Sequence, residues 1–157
     1  MAENLSREKR SKIMASIRSR SNKDTELALC LILRRHQITG WRRNYPLLGK
    51  PDFIFLKDRL AIFVDGCFWH FCPRHGKFPS TNSRYWKAKL ERNKARDKHV
   101  TATLRRSGWT VLRIWEHSLT DSVSIANSIR RHLASVGQRE PRERIQARAK
   151  GISFRKV

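Results

Sequence analysis

Cys67, Cys72 and His75 stand within nine residues of one another in the run Gly66-Cys67-Phe68-Trp69-His70-Phe71-Cys72-Pro73-Arg74-His75. Thiolate and imidazole ligands with four and then two residues between them can wrap a tetrahedral ion in a short loop, and zinc suits such a set. His117, in Trp115-Glu116-His117, is the candidate fourth ligand. The plainer alternative is a coincidence of two buried cysteines with surface histidines. A four-ligand zinc leaves no position for water, so it would be structural, and chemistry must come from other residues.

Those residues are carboxylates. Asp52 opens the run Asp52-Phe53-Ile54-Phe55-Leu56-Lys57, and Asp65 closes Leu60-Ala61-Ile62-Phe63-Val64-Asp65. Both runs have strand composition. With Asp58-Arg59 as a tight turn, Lys57 pairs with Leu60 and Asp52 falls opposite Asp65, on the same face of the hairpin. Two carboxylates among so many cations are either a salt-bridged surface feature or a site for a hard cation, and oxygen ligands with retained waters suit Mg²⁺. The carbonyl of Val64 is a candidate further ligand. Glu26 could orient a metal-bound water, His70 could act as general base on it, and Asp97 could hold His70 through its other ring nitrogen. Each has a plainer role. Glu26 could be a first-turn acid favoured by the helix dipole, Asp97 half of a local ion pair, and Asp65 a loop cap.

The elements that must position these groups follow from periodicity. Residues 6–20 suggest a short basic helix or arm. Asp24 can cap a helix in which Leu27, Cys30, Leu31 and Arg34 keep helical spacing up to Gly40. After the hairpin and the Cys/His/Pro-rich loop at 66–82, a basic helix is expected from about Ser83 to Ser107, ended by Gly108. Residues 109–115 alternate as a third long strand. A closing helix begins near Thr120 or Asp121 with Val123, Ala126, Ile129 and Leu133 inward. A crossover helix between strands implies a parallel pair, so the expected fold is α/β, a single mixed β-sheet flanked by helices. The domain spans 23–137, with a basic arm at 1–22 and a basic, flexible tail at 138–157.

Composition bounds the partners. Lys and Arg number 35 against 13 Asp and Glu, a net charge of +22 in 157 residues. Such a surplus opposes compaction unless an acidic partner neutralises it, and nucleic acid is the commonest. The charge is spread along the chain rather than gathered on one amphipathic helix, which argues against a membrane surface. No spanning segment or secretory leader is legible, and three cysteines do not make a disulfide framework. The expectation is a cytoplasmic monomer.

The motifs Arg10-Ser11-Lys12-Ile13-Met14, Gly49-Lys50-Pro51-Asp52-Phe53, Asp65-Gly66-Cys67-Phe68-Trp69-His70, Tyr85-Trp86, Asn93-x-x-Arg96-Asp97, Gly108-Trp109 and Trp115-Glu116-His117 resemble those of the very short patch repair mismatch endonucleases. That family is built on the restriction-endonuclease-like PD-(D/E)xK core. The resemblance covers about residues 7–119. It implies Asp52 as the magnesium ligand, His70 as the base, Glu26 and Asp97 in support, and structural zinc at Cys67, Cys72, His75 and His117. It also implies a nick beside the thymine of a T:G mismatch in double-stranded DNA, near the bacterial nucleoid and in company with mismatch-repair proteins. Phe68, Trp69 and Trp86 match the aromatic wedges of the family, although core packing is the ordinary fate of a Phe-Trp pair. Two positions depart from the pattern. Members often carry His where Asp65 stands, which predicts a mild effect for Asp65→His, and the zinc loop here is the Cys-Pro-x-His form. Two rivals share some of these features: a restriction-type or relaxed nickase of the same fold, and a non-catalytic zinc DNA-binding module.

Overall fold

The computed structural model describes residues 24–77, 79–80 and 82–137. The proposed arm, the tail and the 6–20 helix lie outside the described residues. The rest is an α/β domain with one four-stranded mixed sheet in the order β1-β2-β3-β4. Residues 24–35 are helical (α1); β1 is Trp41–Arg42, β2 Phe53–Phe55 and β3 Leu60–Asp65. The 24-residue α2, Ser83–Arg106, crosses to β4, Thr110–Trp115. A 3₁₀ turn at Glu116–Thr120 then leads into α3, Ser122–Gly137. Among the described residues no helix is long and apolar enough to cross a membrane.

The expected crossover is present: β3 pairs β4 in parallel, while β1-β2 and β2-β3 are antiparallel. As the central strand, β3 is covered on both sides, so Leu60, Ala61, Ile62 and Phe63 are all buried. On one side Leu60 and Ile62 meet Leu29 and Leu33 of α1 and Ile125, Ala126 and Ile129 of α3. On the other, Ala61 and Phe63 meet Val100 and Leu104 of α2. Gly108, at φ 79, ends α2 as its position suggested.

Four expectations are corrected. The hairpin turn takes residues 56–59, so β2 stops at Phe55, which pairs with Leu60, and the register is two residues from that expected. Asp52 therefore falls level with Phe63 rather than Asp65. The carboxylates still share a face, because side chains alternate with period two and an even slip preserves their side. On α1, Leu27 and Leu31 are 52% and 66% exposed, and the core stripe is Leu29, Cys30, Ile32 and Leu33. Both stripes obey helical spacing; the denser apolar one was taken inward. On α3, Val123 is exposed and Ile125 takes its place beside Ala126 and Ile129, with Leu133 at the edge. The two-residue β1 was not legible in the sequence. Nor was Asp24 found as a cap, since it is itself helical.

Candidate active site and metal centre

The site lies where three strand ends meet. Parallel β3 and β4 finish level, with Asp65 beside Trp115, and antiparallel β2 begins at the same edge just after Asp52. Loops outside the carboxyl ends of parallel strands are where open α/β sheets hold ligands. The segments after β3 and β4 therefore emerge side by side, which brings together residues about 50 apart in sequence.

Cys67, Cys72, His75 and His117 gather at this edge, with one ligand atom from each and all within 4.8 Å of one another. The sulfur of Cys67 lies 3.2 Å from His117 Nδ1, and that of Cys72 lies 3.5 Å from His117 Nδ1 and 3.8 Å from His75 Nδ1. Ligands about 2.0–2.3 Å from a tetrahedral ion are separated by roughly 3.3–3.8 Å, and the three sulfur–nitrogen separations here are near that range, so the set could hold one ion. Support comes from Glu116, whose Oε2 accepts the Cys67 N–H at 3.0 Å. Sequence reasoning passed over Glu116; its adjacency to His117 was the available signal.

Beside this loop a cavity of about 370 Å³ is lined by Asp52, His70 and Asp97, with Gly49 and Val100 among its other walls. Asp52 Oδ2 accepts the Val64 N–H at 2.7 Å, which fixes the carboxylate against the β3 backbone. Burial pushes its pKa up to about 6, with help from the charges of Glu26 and Asp65 and opposition from the Val64 N–H. Mutual repulsion of carboxylates in a partly desolvated pocket is what a bound cation would relieve. Asp97 Oδ2 lies 2.5 Å from His70 Nδ1, and Asp65 Oδ1 lies 3.7 Å from the same nitrogen. For Asp97, burial pushes the carboxyl up, but its bond to His70 and the charges of His70, Arg113 and Arg96 outweigh that and hold it below the usual range.

The geometry separates the remaining candidates. Asp65 is 4% exposed, and both its oxygens are taken by Arg113, each at 2.6 Å. Arg113 also reaches Asp97 Oδ1 at 3.3 Å, so one guanidinium ties together both carboxylates around His70. It escaped sequence reasoning, although alternation along β4 puts it on the side of buried Val111, and a cation there requires an acid. Glu26 is paired with Arg43 at 2.6 Å, near enough in charge to raise Asp52 but outside the cavity lining.

The inward stripe of α2 shows how one helix serves both core and site. Trp86 and Leu90 are buried at one end, Val100 and Leu104 at the other, and the positions between on the same face are Asn93 and Asp97. Asn93 donates to the Trp69 carbonyl at 3.0 Å, pinning the aromatic loop. Gly49 is needed at φ +78, and a Cβ there would stand 2.4 Å from Val100, so helix and cavity floor touch backbone to side chain.

Phe68, Trp69 and Trp86 form a separate cluster, with Phe68 5.0 Å from Trp69 and 5.3 Å from Trp86, edge to face. Phe68 and Trp69 are half-buried and Trp86 is buried, while Lys89 lies over both tryptophans. They lie outside the two main core clusters and pack chiefly on one another.

An α/β domain with a carboxylate–histidine centre at the strand ends, beside a Cys/His cluster able to hold a metal, has the architecture of a hydrolytic nuclease. The comparisons are specific. The family model for the DNA mismatch endonuclease Vsr matches residues 2–74. The chain is 49% identical over 85 residues to the Type II nicking enzyme V.NaeI of Lentzea aerocolonigenes, over 54% of this chain and 51% of that protein, so the match spans about half that relative's length. It is 37% identical over 126 residues to the Type II nicking enzyme V.XorIIP of Xanthomonas oryzae pv. oryzae, covering 77% of this chain and 89% of that one. It is also 34% identical over 111 residues to the DNA mismatch endonuclease Vsr of Escherichia coli, covering 70% of each. The chain belongs to the Vsr endonuclease family, whose members are DNA-cleaving hydrolases.

Proposed function

We propose that this protein is a Mg²⁺-dependent endonuclease that nicks one strand beside the thymine of a T:G mismatch and so starts very short patch repair. The observation that carries the reading is the convergence of Asp52 and the Asp97–His70 pair on one cavity. With Nδ1–H held by Asp97, the free Nε2 of His70 is the nitrogen that can take a proton from an attacking water. Asp52 and the Val64 carbonyl would hold Mg²⁺, which supplies Lewis-acid stabilisation of phosphoryl charge when bound. Asp65 acts through Arg113, which holds Asp97 in place. Glu26 raises the local negative potential that favours a cation. Zn²⁺ at Cys67, Cys72, His75 and His117 is structural, because four protein ligands fill its coordination.

Mismatch choice belongs to Phe68 and Trp69, the two half-buried aromatics, backed by Trp86. Prying open a weakly stacked wobble pair costs less than opening a matched one. The protein acts as a cytoplasmic, nucleoid-associated monomer that hands its nick to repair proteins. Incubation with matched and T:G duplexes, with and without Mg²⁺, tests this. A nick in the thymine strand is expected only with both the mismatch and the metal. Double-strand cleavage, or activity indifferent to the mismatch, overturns it. A second reading, a nickase with its own sequence preference, is favoured by the similarity to two Type II nicking enzymes. It predicts nicking of a matched duplex at defined sites.

A further inference from the structure

The wall formed by Asp65, His70, Asp97 and Arg113 has two sides. One faces the cavity of Asp52; the other faces a second, open groove of about 470 Å³. The groove has an apolar floor, with Phe71 and Trp115 as its aromatic members, and its rim is α2. Lys94, Lys98 and Arg105 stand on that rim with Thr101 between them, at spacings of four, three and four residues, which is one face of a helix. All three cations are exposed, and among the described residues none of them has an ion pair or side-chain hydrogen bond. Phe71 holds φ 50, a left-handed backbone that a bulky residue rarely adopts. Such strain persists where surrounding structure enforces it and is concentrated at functional sites.

An aromatic floor under a row of uncommitted cations suits a polyanion that also carries flat apolar faces. From Lys94 to Arg105 the helix rises about 16 Å, long enough to meet several successive backbone phosphates. We infer that this groove is a track for the DNA strand leading away from the cut, its phosphates on Lys94, Lys98 and Arg105 and its sugars and bases over Phe71 and Trp115. The inference rests on the reading of duplex DNA as substrate. It adds that the strand passes over the His70 wall from one cavity to the other, so that α2 both supplies Asp97 and sets the register of the backbone on it. Phosphate contacts position a strand without reading sequence.

The test is Lys94→Gln/Lys98→Gln/Arg105→Gln, beside a control of equal charge loss on the opposite side of the sheet, Arg34→Gln/Arg35→Gln/Arg131→Gln. Affinity for a matched and a T:G duplex is titrated at several salt concentrations with the full-length protein. Each lost phosphate contact lowers the slope of log affinity against log salt by about 0.9, so the groove variant should lose roughly 2–3 in slope. The loss should be equal on the two duplexes, while the control changes little. Equal losses in both variants would mean that bulk charge alone is at work, and an unchanged slope in the groove variant would place the strand elsewhere; either overturns the inference. If the unaltered protein neither binds nor nicks duplex DNA, the functional reading has failed instead.

Discussion

At the scale of single residues, the consequential contact is the one that turns a carboxylate into a strut. Asp65 gives both oxygens to Arg113, so replacing Asp65 with His removes the guanidinium's two shortest contacts and leaves it only Asp97, at 3.3 Å. Removing one partner of a buried ion pair costs about 3–5 kcal/mol. The resemblance suggested that Asp65→His would be mild; the double contact with Arg113 leads us to expect a larger cost. Asp65→His should unfold at distinctly lower denaturant than the parent, and Asp65→Asn/Arg113→Gln should recover much of the loss. Equal midpoints for Asp65→His and the parent would count against the strut. Asp52 carries a cost of the opposite kind. Its pKa of about 6 lies above the ordinary 3.8, so the native state holds its proton more tightly than the unfolded chain does. The contribution of Asp52 to the stability of the magnesium-free protein should therefore fall as pH rises from about 4 to 6 and stay level above that, by at most about 3 kcal/mol. Asp52→Asn keeps an acceptor for the Val64 N–H and cannot ionise. It should abolish nicking while flattening this pH dependence, as read from denaturant midpoints between pH 4 and 8 with zinc retained.

At the scale of elements, α2 is poised by a contact that has no slack. Gly49 sits under Val100, one helical turn from Asp97, with 2.4 Å where a Cβ would go. Gly49→Ala must push that turn of α2 outward and also strain a φ of +78. An overpacking cost of about 1–3 kcal/mol is expected, together with slower nicking as Asp97 moves from His70. Val100→Ala in the same chain should restore part of the rate by making room. No recovery would show that backbone strain, rather than the push on the helix, is the cause. The loop after β3 is the other fixed element. The four candidate ligands come from this loop and from the turn after β4, brought together at the sheet edge, so any metal loading should be coupled to folding. One zinc per chain is expected by elemental analysis, and Cys67→Ala should lose both metal and cooperative unfolding.

At the scale of the whole molecule, the charge of +22 favours any duplex alike, so the mismatch choice we propose requires a step whose cost depends on the base pair. Trp69 is the cleanest probe because it is half-buried, whereas Trp86 is 9% exposed and its truncation would cost about 3–5 kcal/mol of core stability. Trp69→Ala should lower the nicking rate on T:G duplexes at least tenfold, about 1.4 kcal/mol, while binding to matched duplex and its salt dependence change little. Matched and mismatched binding lost in parallel would return Trp69 to a packing role.

Type and local spacing of residues were enough to indicate the sheet, the crossover helix and the Cys67, Cys72 and His75 set, because each follows from periodicity or from the chemistry of neighbours, while the expectation that Asp97 holds His70 leaned on the family resemblance. They could not choose between two helical stripes on α1, since both satisfy the same period, nor between a two- and a four-residue hairpin turn. The parity of the strand still kept Asp52 and Asp65 on one face through that error. The role of Arg113 was decided by tertiary structure alone. Its partners, Asp65 and Asp97, lie on another strand and on a helix, and only the side-by-side finish of parallel β3 and β4 brings the three together. A buried charge finds its partner through space, and sequence records only that a partner is required.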